Sequence, residues 1–165
     1  MIPNQSRKVL IVEDDQTIST LYSIKFEKEW YIVKVCNDGI DAVTKVMEFA
    51  PDAILLDIMM PSMDGFETLR VIRELAPSLK TKIVMFSNLN RQDDIDRCMQ
   101  SGADAYLLKA DTTPADAVRK IEELFATTQM RRGTDMVRAE DLAKPKTFYC
   151  KCPNCGEEFE QDIPM

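Results

Sequence analysis

The sequence predicts an α/β fold in which five parallel strands alternate with five helices, the sheet ordered 2-1-3-4-5. Three observations lead there. Short apolar runs recur between residues 8 and 109, and each is followed by an apolar stripe at helical spacing. Regular alternation of this kind requires a parallel sheet with right-handed crossovers and helices on both faces. The runs also end in polar residues: Glu13-Asp14, Asp57, Ser87 and Lys109. Doubly wound sheets bind ligands at the carboxyl ends of their strands, where the strand order reverses. For the order 2-1-3-4-5 that point lies between the first and third strands, which end in Asp14 and Asp57.

Taken in order, Lys8 to Val12 is a β-branched run and reads as a buried strand leading into an acidic loop. Asp15 is placed to cap a first helix whose face is Ile18, Leu21, Tyr22 and Lys25. Trp30 to Cys36 reads as the second strand, closed by Asn37-Asp38-Gly39. Ala42, Val43, Val46, Met47 and Ala50 form the stripe of a second helix that stops at Pro51. Ala53 to Leu56 is apolar throughout, as a strand buried on both faces should be. Ser62-Met63-Asp64-Gly65 is a turn, and Phe66, Leu69 and Ile72 open a third helix that ends by Pro77. Lys82 to Ser87 is the fourth strand. Asn90 is expected to cap the fourth helix, with Asp93 in its first turn and Gly102 at its end. Ala103 to Lys109 is the fifth strand. Thr113 as N-cap, Pro114 and Asp116 begin a fifth helix with a core face of Ala117, Val118, Ile121, Leu124 and Phe125.

Composition narrows the function. The chain has 165 residues, enough for one ordinary domain with an appendage. No apolar run approaches a membrane span, and residues 1–8 lack the apolar core of a signal peptide. A cytoplasmic protein is expected. The net charge of −7 disfavours sequence-independent binding to nucleic acid. Histidine is absent, which excludes a Ser-His-Asp triad, a Cys-His dyad and Cys/His zinc sites. Cys36 and Cys98 read as buried free thiols.

Asp57 is the carboxylate that needs explaining, because Leu56 and Ile58 frame it. An ionised group beside buried surface needs partners. The topology supplies Glu13, Asp14, Ser87 and Lys109. Carboxylates gathered this closely repel one another unless a cation joins them. Oxygen ligands without His or Cys favour Mg²⁺, which keeps waters and phosphate oxygens as its other ligands. With the Lys109 cation and the Ser87 hydroxyl, the set suits a phosphoryl group attacked by a carboxylate.

These residues resemble the response-regulator receiver domain of two-component signalling over residues 8 to about 127, a flavodoxin-like (βα)5 fold. The matching segments are Val12-Glu13-Asp14-Asp15, Leu55 through Gly65 around Asp57, Ser87, and Tyr106-Leu107-Leu108-Lys109. The resemblance implies that Asp57 accepts a phosphoryl group from a histidine kinase or phosphotransfer protein. It implies that Glu13, Asp14, Asp57 and the Met59 carbonyl hold Mg²⁺. Ser87 and Lys109 would contact the phosphoryl group, and Tyr106 would turn inward with Ser87 as the switch. Met59 and Leu89 stand where the family tunes phosphoryl lifetime; neither orients a water, so a long-lived phosphoryl-Asp57 is expected. One position departs: Ala110 follows Lys109 where the family usually has proline, and a trans peptide is expected there because a non-proline cis bond costs roughly 3–4 kcal/mol.

The tail is read as a linker over 129–147, with a short helical turn around Asp135 to Leu142, and a zinc-knuckle-like segment over 148–165. Cys152-Pro-Asn-Cys155-Gly resembles half a zinc ribbon, and Cys150 adds a third thiolate, one short of the usual four. A Zn²⁺ shared between two chains would make the tail a homodimerisation device; an external ligand, a remnant or a plain tail with reactive thiols are the alternatives. No DNA-binding or catalytic output domain fits in the final ~37 residues at typical domain sizes. The expected function is a phosphoacceptor, not an enzyme, that signals to a downstream protein effector. The alternative is an unphosphorylated pseudo-receiver acting as a metal-assisted interaction module. A third class, a dehalogenase-type phosphatase, would carry a second acid where Met59 stands.

Overall fold

The computed structural model describes residues 7–77, 80–133, 148–151 and 158–161, with side chains as far as residue 127. Strands β1 (Lys8–Val12), β2 (Ile32–Cys36), β3 (Ala53–Leu56), β4 (Lys82–Ser87) and β5 (Ala105–Leu108) form one parallel sheet ordered β2-β1-β3-β4-β5. Helices α1 (Gln16–Lys28), α2 (Gly39–Phe49), α3 (Gly65–Leu75), α4 (Gln92–Gln100) and α5 (Pro114–Gly133) alternate with them. The chain divides into two compact units, Met1–Thr127 and Thr128–Met165.

Each central strand is apolar on both sides because each side has its own core. Leu10, Val12, Ile54, Leu56, Ile83 and Met85 face one cluster, which takes in Ala42 and Val46 of α2 and Leu69 and Ile72 of α3. Val9, Ile11, Ala53, Leu55, Val84 and Phe86 face the other, with Tyr22 and Phe26 of α1 and Ala117 and Ile121 of α5. Fully burying one such side chain is worth about 1.5–3 kcal/mol, so the sheet is the rigid part on which the loops are mounted.

Helix starts follow local chemistry. The Asp15 carboxylate accepts the Thr17 and Ile18 N–H groups, Asp38 accepts from Asp41, and Asp64 accepts from Glu67. Thr113 and Asp116 exchange hydrogen bonds in a capping box at α5. Helix ends are less regular. α4 closes on Gly102 at φ 98, with Gly102 N–H donating to Met99 and Ala103 N–H to Cys98. α1 closes with the same double bond pattern, but the left-handed residue is Trp30 at φ 66.

Several local expectations are corrected. β2 begins at Ile32, since Trp30 and Tyr31 complete the α1 stop. The core face of α1 is Ser19, Tyr22 and Phe26; Leu21 points to solvent, displaced by one position from the turn that touches the sheet. In α2, Phe49 is buried, while Met47 and the left-handed Ala50 are exposed. α4 starts after Arg91, which makes no side-chain cap, so Asn90 lies outside it. β5 is shorter than expected, and Lys109 leads a 3-10 turn, Lys109–Asp111. α5 continues to Gly133, into the segment expected to be linker. In the second unit, β6 (Phe148–Lys151) pairs antiparallel with β7 (Glu158–Gln161). Cys152 and Cys155, and the turn expected over Asp135 to Leu142, lie outside the described residues. Cys150 lies on β6, and the zinc expectation finds no support among the described residues.

Candidate functional site: an acidic pocket at the strand ends

The sheet's hydrogen bonding continues one residue past β1 and β3 and fixes the acids there. Glu13 N–H donates to the Cys36 carbonyl at 3.0 Å, and Asp57 N–H donates to the Val12 carbonyl at 2.9 Å. Both residues are buried, at 1% and 2% exposure, while Asp14 next door is open to solvent. Glu13, Asp14 and Asp57 bring one carboxylate oxygen each within 4.8 Å of one another.

Lys109 reaches this group from the end of β5. Its ammonium lies 2.9 Å from Asp57 Oδ2 and 2.9 and 2.7 Å from the two Glu13 oxygens. The face of the Phe86 ring lies 5.4 Å away. Burial works against the ammonium, but hydrogen bonds to Glu13 and Asp57 outweigh it and hold Lys109 above its usual range. Burial pushes the Glu13 carboxyl up to about 7; its bond to Lys109 opposes the shift and the Asp57 charge adds to it. The peptide bonds of the described residues are trans, including the one before Ala110. The turn that Ala110 enters therefore still delivers Lys109 to both carboxylates.

The donor set fits a divalent cation. Glu13 Oε2 is buried and accepts no hydrogen bond, although the ammonium is 2.7 Å away. Three carboxylates face one ammonium, so ionising all three leaves a formal charge of −2. Hard oxygen donors around a net dianion are what Mg²⁺ binds.

The hydroxyl side of the pocket is organised around a backbone segment. Ser87 is fully buried, and its Oγ accepts the Leu89 N–H at 3.3 Å. Tyr106 is half-buried, and its Oη donates to the Leu89 carbonyl at 2.8 Å. Burial, against a hydrogen bond from Ser87, raises the Tyr106 phenol above its ordinary value. Leu89 was expected to act through its side chain; its two backbone groups bridge Ser87 and Tyr106, and residue type carries no signal for that. Met59 donates its N–H to Asp57 Oδ1 at 3.2 Å, but its side chain is 62% exposed. Of these two positions, Leu89 is the one whose side chain packs against the core.

Comparison with known proteins identifies this arrangement. The family model described as the response regulator receiver domain matches residues 9–122. The chain belongs to that family. The receiver is 34% identical over 131 residues to "DNA-binding dual master transcriptional regulator RpaA" of Synechocystis, covering 79% of this chain and 51% of that protein. It is 31% identical over 129 residues to "DNA-binding response regulator MtrA" of Mycobacterium tuberculosis, covering 78% and 53%. The chain thus spans about half the length of the curated relatives it matches. Among solved structures, a CheY-like receiver protein of Methanospirillum hungatei has TM-score 0.69 at 28% identity, over 76% of this chain and 99% of that one. The receiver domain of Francisella response regulator 1452 has TM-score 0.68 at 28% identity, over 74% and 98%. The expected fold and strand order are those observed, and the acidic pocket is of the kind that binds Mg²⁺ in receivers. Among the described residues no helix is long and apolar enough to cross a membrane.

Proposed function

We propose that this chain is a response regulator whose Asp57 accepts a phosphoryl group from the phosphohistidine of another protein. The observation that carries the reading is Asp57 at the end of β3, 2.9 Å from the Lys109 ammonium and within 4.8 Å of the Glu13 and Asp14 oxygens. The donor histidine must come from elsewhere, since this sequence has none, and receiver domains pair with histidine kinases in general. An Asp57 oxygen attacks phosphorus, the P–N bond breaks, and the imidazole leaves with the electron pair. Lys109, already desolvated and placed on Asp57, stabilises charge on the phosphoryl oxygens without rearranging. Glu13, Asp14, Asp57 and the Met59 carbonyl are the groups to hold Mg²⁺, which when bound neutralises charge on the transferred group. Ser87 becomes a phosphoryl ligand, and its move would release the Leu89 N–H that it now accepts, loosening the segment that Tyr106 also holds. The output proposed is contact with a protein effector, in line with a net charge of −7 that opposes binding to a phosphate backbone.

The test is mass measurement of intact protein after incubation with Mg²⁺ and a small acyl phosphate. One added phosphoryl group, absent in Asp57→Asn, is expected. No adduct on the unmodified protein refutes the proposal, and donor consumption without an adduct points to catalytic turnover.

A further inference from the structure

Lys109 presents a positioning problem. Its ammonium must meet two carboxylates just past the ends of other strands, and productive geometry of this sort requires placement to within about 0.5 Å. Its backbone, however, sits in a three-residue 3-10 turn, Lys109–Asp111, whose preceding residue Leu108 offers no side-chain cap. The entrance of the turn is fixed, because Leu108 pairs with Ser87 in the sheet. The exit is fixed by a side chain from a different element. Tyr22, buried on α1, donates its hydroxyl to the Thr112 carbonyl at 2.6 Å, across 90 residues of sequence. The next residue, Thr113, is locked by the capping box of α5. The Tyr22 ring also packs on Phe86 at a centroid distance of 4.7 Å, and Phe86 is the ring that lies under the Lys109 ammonium. Tyr22 therefore touches both the residue that closes the turn carrying Lys109 and the platform beneath its head. Burial, with the charges of Asp116 and Glu13, pushes its phenol up to about 12, so it remains a donor at neutral pH.

We propose that Tyr22 is a positioning residue that, through Thr112 and Phe86, holds Lys109 on Glu13 and Asp57. This rests on the phosphoacceptor reading of Asp57 only for its consequence, not for the contact. Tyr22→Phe keeps the ring on Phe86 and removes only the hydroxyl, so the variant should fold. The first readout needs no phosphorylation: labelling of individual lysines by a succinimidyl ester, mapped by mass spectrometry. Lys109, with 11% of its side chain exposed, is protected in the unmodified protein. Tyr22→Phe should raise its labelling about fivefold relative to exposed Lys28, the effect of losing one ordinary hydrogen bond. The second readout is the rate of phosphoryl adduct formation from a small acyl phosphate, with a double-mutant cycle. Tyr22→Phe should slow it about fivefold, and should slow Lys109→Met no further.

Unchanged Lys109 labelling overturns the proposal whatever the phosphorylation rate. So does an unchanged rate beside raised labelling, or equal slowing in the Lys109→Met background. If the unmodified protein takes no phosphoryl group but Tyr22→Phe still unmasks Lys109, the positioning role stands and the phosphoacceptor reading fails.

Discussion

Replacing Lys109 with methionine isolates the electrostatic core of the site. Methionine keeps the unbranched apolar stem and removes the charge, leaving Glu13 and Asp57 buried beside each other without a cation. Breaking a buried pair by deleting one partner costs about 3–5 kcal/mol. The lower figure applies here, because Lys109 keeps 11% of its side chain in solvent and neighbouring Asp14 is exposed. Glu13 then gives the loss a pH dependence. Its carboxyl sits at about 7 in the folded protein against an ordinary 4.5. The folded form thus holds this proton more tightly than the unfolded chain does, and stability falls as pH rises from about 4.5 through 7. Without Lys109 the carboxyl is pushed higher still, so the variant's stability keeps falling above pH 7 where the parent's levels off. The difference between them grows by about 1.4 kcal/mol per pH unit in that range. Without metal, the expected loss is about 3 kcal/mol at pH 5.5 and about 4 kcal/mol at pH 8. Mg²⁺ should narrow the gap at pH 8 by supplying positive charge to the same carboxylates. Urea unfolding followed by far-UV circular dichroism is the suitable assay; Trp30, at 70% exposure, is a poor reporter of the core. An equal loss at both pH values, or a gap that Mg²⁺ leaves unchanged, would refute this charge assignment.

Two further outcomes bear on the loops that follow Asp57 and Ser87. A Cβ at Gly65 would sit 2.1 Å from the Asp57 carbonyl oxygen and 2.7 Å from Ile58 Cα, so Gly65→Ala must displace the backbone of Asp57 itself. It should cost about 2–3 kcal/mol in urea unfolding and weaken Mg²⁺ binding in the same protein; unchanged values for both would contradict the close approach. Combining Met59→Asn with Leu89→Glu gives the pocket groups able to orient a water. Decay of phosphoryl-Asp57 should quicken on the order of tenfold, a modest share of what general acid–base groups provide. Decay that is unchanged or slower would show that these side chains do not limit access of water.

The parts of this molecule that were legible in the sequence are those governed by periodicity and by strand ends. Ala53 to Leu56 could be read as a strand buried on both sides because both sides are covered, by two separate clusters. Asp57, Glu13 and Lys109 are brought together because a parallel sheet of this order sets the ends of β1 and β3 side by side and the end of β5 on the same edge, with only β4 between. Errors fell where packing, not pattern, decides. Leu21 has the right spacing for the face of α1, yet the helix is rotated so that Ser19, Tyr22 and Phe26 meet the sheet. Trp30 looks like the first residue of a strand but stops a helix, in a left-handed conformation usually left to glycine.

What no residue pattern could supply is how the site is held together, because it runs through backbone groups. The Leu89 N–H and carbonyl bridge Ser87 to Tyr106, and the Thr112 carbonyl ties the Lys109 turn to Tyr22. These two ties differ in kind. The one at Leu89 includes a bond to Ser87 that a phosphoryl group would compete for, so it is suited to being broken. The one at Thr112 involves no group that phosphorylation would recruit, so it is suited to persisting. On the proposed reading a switch would need both, since Lys109 would stay in place while the Leu89 segment changes partners. On the proposed phosphoacceptor reading, selective loosening at Leu89 with Thr112 held is therefore the motion expected on phosphorylation.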